Sequence, residues 1–113
     1  MTQNNLASAL TDIGRRESGS AQLEEAVLAC REALKEYTRE REPQGWAMTQ
    51  NNLGDALTSL GEREADSVRL EEALLAYRAA LKEFTSKSAP SQYAEVRESF
   101  RRALGLVDQR RSG

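Results

Sequence analysis

The sequence predicts an all-α protein, a solenoid of helix-turn-helix repeats, and three observations carry that expectation. The first is an internal repeat: residues 1–47 align without a gap on residues 48–94, with 27 identities in 47 positions. The second is apolar residues at helical spacing in both copies. The third is that neither copy shows the alternating pattern of a strand. A period of roughly 20–50 residues marks units that cannot bury their apolar face alone and so stack on their neighbours. The 113 residues are read as one domain: a repeat over 1–47, a second over 48–94 and a capping helix over about 91–110.

Five helices are expected, over 2–13, 20–38, 43–60, 67–86 and 91–110. In the third, Leu53, Ala56, Leu57 and Leu60 recur at i, i+3, i+4 and i+7, which is one face of a helix. Gly14 and Gly61 follow the last apolar residue of their segments and read as C-terminal stops. Pro43 and Pro90 suit a first helical turn, where a missing N–H costs nothing. The fourth helix carries Leu70, Ala73, Leu74, Tyr77, Leu81 and Phe84, and its twin carries Leu23, Ala26, Val27, Cys30, Leu34 and Tyr37. Ser20 and Ser67 are the expected N-caps. Leu28 and Ala29, like Leu75 and Ala76, lie about 100° off the main stripe. That predicts burial on two faces, as for an inner helix. A third copy opens in frame, since Pro90, Tyr93, Ala94, Phe100 and Leu104 match Pro43, Trp46, Ala47, Leu53 and Leu57.

These residues resemble the tetratricopeptide repeat. Leu53 and Gly54 take the Leu-Gly positions of its first helix, and Leu57 stands where that family prefers tyrosine. Ala73, Tyr77 and Ala80 occupy the small–large–small positions of the second helix, and Pro90 takes the closing proline. The first copy departs further, with Ala7 for the glycine and Cys30 for the aromatic. The period departs as well, at 47 residues instead of 34. The TQNNLG string is similar to the kinesin-light-chain type and to bacterial arrays of long, near-identical copies. The resemblance implies a scaffold for protein contacts, with the first helix of each repeat lining a concave surface.

Composition excludes several chemistries. The chain has no histidine and one cysteine, so it lacks His-based acid–base catalysis, His or multi-Cys zinc sites and an intrachain disulfide. Adjacent glutamates such as Glu71 and Glu72 diverge by about 100° and do not face each other. Cys30 replaces Tyr77 at a core position and reads as a buried, inert thiol. No glycine-rich phosphate loop is present. The expectation is therefore a non-catalytic chain without cofactor or metal. A net charge of −2, with 16 basic and 18 acidic residues, argues against nucleic-acid and membrane partners. No signal-like or membrane-spanning segment is visible, and the expected compartment is the cytoplasm. Trp46 and Tyr93 are expected to pack between repeats, and the arginines near the C-terminus are expected to solubilise a cap.

The candidate ligand groove is the polar face of each first helix: Asn4, Asn5, Ser8 and Thr11 in one copy, Asn51, Asn52, Asp55 and Thr58 in the next. Asn51 points about 160° away from Leu53, and Asp55 and Thr58 fall within about 40° of its direction. An amide carries both donor and acceptor, which suits the backbone of an extended peptide. The first functional expectation is a protein or peptide partner held in this groove. The second is structural self-assembly, as a homo-oligomer formed through the N-terminal repeat, whose edge is built like an interior edge. A helical-repeat RNA binder is disfavoured by charge and by the lack of stacking aromatics on the groove face.

Overall fold

A computed structural model of the chain describes residues 20–112. Every regular element among them is an α-helix: α1 (Ala21–Glu36), α2 (Pro43–Glu64), α3 (Ser67–Glu83) and α4 (Pro90–Ser112). Consecutive helices pack on one another, α1 on α2, α2 on α3 and α3 on α4, and α2 also touches α4. The expected helix over 2–13 lies outside the described residues.

The core follows the apolar period. Leu23, Val27, Leu57, Leu60, Leu70 and Tyr77 are buried, as are the small residues Ala26, Ala33, Ala73 and Ala80 that let the helices approach. Pro43 opens α2 as expected. The corners that lead into α2 and α4 close alike: Glu42 N–H donates to the Thr38 carbonyl and Ala89 N–H to the Thr85 carbonyl, at 2.9 and 3.0 Å. Trp46 is half-buried against the core, and the Arg39 guanidinium lies 5.6 Å from its ring centroid.

Three expectations are corrected. Gly61 does not end α2, which runs one turn further and closes at Ala65 in the left-handed region with φ 54°. Gly61 is there for room: a Cβ on it would meet the Leu70 side chain at 2.6 Å. The N-cap of α3 is Asp66, whose carboxylate accepts from the Val68 and Arg69 amides at 3.0 and 3.4 Å, and Ser67 is the first helical residue. Ser20 caps α1 with no side-chain bond. Finally, Leu28 and Leu75 are not buried on a second face but are 60% and 65% exposed. The second stripe is covered only at Ala76 and, partly, at Ala29. The neighbours of α1 and α3 flank their inner sides and leave the outer ridge to solvent.

The seam between α2 and α3 places the candidate site. Gly54 and Tyr77 meet, and so do Gly61 and Leu70, so the two helices run antiparallel. A Cβ on Gly54 would lie 2.6 Å from the Tyr77 ring, so the missing methyl lets the ring lie flat on α2. The phenol then crosses α2 and donates to Asp55 Oδ1 at 2.7 Å, with the Thr58 hydroxyl 3.2 Å away.

Candidate functional site

Four of the eight sequence-derived groove residues, Asn4, Asn5, Ser8 and Thr11, lie outside the described residues. The other four share one side of α2, but the structure gives them different work. Thr58 is 1% exposed, and its hydroxyl donates to the Gly54 carbonyl at 2.8 Å. Asn51 is 5% exposed, and its side-chain oxygen has no hydrogen-bond partner among the described residues. Both were expected to face solvent, and that expectation is corrected: packing covers most of the circumference of α2. Asp55 is half-buried and receives the Tyr77 phenol, and Asn52 is half-buried.

The open part of this side lies further along the helix. A groove of about 590 Å³ is lined by Ser59, Glu62 and Arg63 of α2 and by Arg102 of α4. Glu62 lies about 20° from the direction of Asn51, so it continues the same face past Gly61. Arg102 of α4 forms an ion pair with Glu62, which ties the two walls together. Arg110 donates to the Gly61 carbonyl at 2.6 Å, an oxygen that already accepts from the Ala65 and Asp66 amides, and so ties α4 to the last turns of α2. Two arginines, one carboxylate and a hydroxyl make a polar, mostly cationic rim that can bond a carboxylate or a peptide carbonyl. Of the α2 residues in this lining only Glu62 has a signal in the sequence, the continuing face of Asn51; Ser59 and Arg63 lie about 80° and 120° from that direction. Arg102 has none, because it belongs to the other helix.

The remaining candidate groups are structural. Cys30 is buried, and desolvation, with the nearby Asp55 charge, pushes its thiol up to about 12 from an ordinary 9.0. A thiol held neutral is a poor nucleophile. Among the described residues no group of His, Cys, Asp or Glu could hold a metal ion. None of their helices is long and apolar enough to cross a membrane.

Helix pairs stacked in register, with a polar groove between like helices of successive units, define a helical-repeat protein. The family model of the tetratricopeptide repeat matches residues 1–39 and again residues 46–84, more than half of the chain. The chain belongs to the tetratricopeptide repeat family. No curated protein and no solved structure matches it. Repeats of this family commonly mediate contacts between proteins, and the family is generally non-catalytic.

Proposed function

We propose that the chain is a non-catalytic interaction module that holds an acidic, extended segment of a partner protein between α2 and α4. The observation that carries this reading is the open groove lined by Ser59, Glu62, Arg63 and Arg102. Its arginines come from two repeats, so a ligand would bridge units and read their spacing. The half-buried Asn52 and Asp55 extend the polar side along α2, and Asn4, Asn5, Ser8 and Thr11 are the counterparts of this side in the first copy of the sequence. A reducing, cytoplasmic setting suits a single buried thiol such as Cys30.

Selection from a phage-displayed random peptide library supplies the test ligand. The selected peptides should carry carboxylates. Arg63→Ala and Arg102→Ala should each weaken them by about ten- to a hundredfold, the worth of one charge-assisted hydrogen bond. Equal affinity of both variants and the parent would remove the groove from the account. A second reading, structural self-assembly, is favoured by one observation: Leu28 and Leu75 stand exposed on the outer ridge. Association through the first repeat rests on residues 1–19, outside the described ones.

A further inference from the structure

Besides the α2–α4 groove, α2 borders a second depression, on its other side. This one, of about 260 Å³, is lined by Leu53 and Leu57 of α2, by Leu75, Ala76 and Ala79 of α3 and, at its rim, by Arg31 and Glu72 among others. Leu57 and Glu62 diverge by about 140° around α2, so the two depressions do not share a wall. The floor is leucine and alanine, with the exposed Leu75 standing beside it. The rim is an ion pair, Arg31 with Glu72 at 3.0 Å. A knob next to an apolar hole of matching chemistry is the arrangement in which a surface can complement itself.

Charge order along α3 fixes what can sit there. Glu71 and Glu72 precede Leu75, and Arg78 and Lys82 follow it, all on the outward side. Arg78 lies about 60° to one side of Leu75, Glu71 about 40° to that same side and Glu72 about 60° to the other. Two such helices laid antiparallel on a two-fold axis at Leu75 keep each flank against the same flank of the other copy. Arg78 of each copy then faces the other copy's Glu71, and the pairing occurs twice, while Glu72 keeps its partner Arg31. Laid parallel, the same helices would set Glu71 against the other copy's Glu72. Exposed Val68, seven residues before Leu75, would meet the long apolar stem of the other copy's Lys82, seven after.

We propose that a second copy of this chain docks on this face, as a two-fold dimer in which α3 packs antiparallel on its counterpart and Leu75 enters the neighbouring leucine–alanine groove. The proposal rests on the self-assembly reading and gives it a surface; it is independent of the peptide groove. α1 repeats the charge order with Glu24 and Glu25, Leu28, Arg31 and Lys35. The groove described here adjoins Leu75 and not Leu28, so α3 is the contact.

Sedimentation equilibrium of the full chain over a wide concentration range tests it, with circular dichroism to show that each variant is folded. The parent dimerises, and Leu75→Glu weakens the dimer at least tenfold, because an unpaired carboxylate would be buried. Leu28→Glu leaves it intact. Glu71→Lys and Arg78→Glu each weaken it, and the double swap restores it, because the antiparallel pairing is re-formed with the signs exchanged. A dimer indifferent to Leu75→Glu, lost with Leu28→Glu, or not recovered by the double swap would overturn this surface while leaving self-assembly standing. A parent chain that stays monomeric throughout would overturn both, with the peptide-groove reading untouched.

Discussion

Tyr77 shows how a single side chain joins the core to the polar side of the molecule. Its ring occupies the space that Gly54 leaves, and its hydroxyl emerges beside Asp55 and Thr58. The first copy carries Ala7, Ser8 and Cys30 at the positions of Gly54, Asp55 and Tyr77. Where the methyl is present the ring is replaced by a thiol, and where the phenol is gone the carboxylate that accepts from it is gone too. Gly54→Ala alone should therefore cost about 1–3 kcal/mol by overpacking, and Tyr77→Cys alone a similar or larger amount through the cavity it leaves. Combined, they should cost clearly less than the sum, because each relieves the fault of the other. Urea denaturation of the four proteins in this cycle measures the coupling, and strict additivity would mean that the two sites do not share the seam. Cys30 gives a pH signature. Its thiol is raised to about 12, so unfolding releases a proton once pH exceeds the ordinary 9.0. The stability this group contributes is complete below pH 9 and is lost as pH rises toward 12. Above pH 9 the urea midpoint should fall more steeply for the parent than for Cys30→Ala, and parallel slopes would contradict the burial of the thiol.

At the scale of the helices, the apolar period and the prolines were legible in the sequence, because burial on one side and a fixed φ are local properties. Leu53, Leu57, Leu60 and Tyr77 are buried where the spacing put them, and Pro43 opens its helix. Gly61 was misread because glycine has two uses, and sequence alone does not separate a helix stop from close packing against Leu70. That misreading also hid part of the candidate site, since it ended the helix before Glu62 and Arg63. Leu28 and Leu75 were misplaced for a different reason: a helical wheel gives the angle between stripes, but the neighbours decide which stripe is covered. The corner between α2 and α3 holds the clearest element-scale prediction. Asp66→Ala should cost about 1 kcal/mol, within the usual range for a lost N-cap. Ser67→Ala, which the sequence alone would have marked as the cap, should be nearly neutral. Thermal denaturation of both variants checks this, and the reverse order would restore Ser67 as the cap.

Over the whole molecule, three ion pairs tie α1 and the corner after it to α3: Glu24 with Arg69, Arg31 with Glu72 and Arg39 with Glu83, at 2.7, 3.0 and 2.6 Å. Their order along the chain shows that α1 and α3 run parallel, as like helices of successive repeats. Exposed pairs of this kind contribute little each, so their use is to set register on the outer ridge. On the other side Glu62 and Arg102 link α2 to α4. The two faces thus differ in chemistry: a polar groove with arginines from two repeats, and a ridge carrying leucines between ordered charges. The polar groove is the proposed ligand-binding face. Backbone amide shifts of the isotopically labelled chain, titrated with a peptide selected from the random library, test it most directly. The shifts should concentrate at Ser59, Glu62, Arg63 and Arg102. Shifts concentrated around Leu75 and Ala79, with the groove residues unmoved, would contradict it.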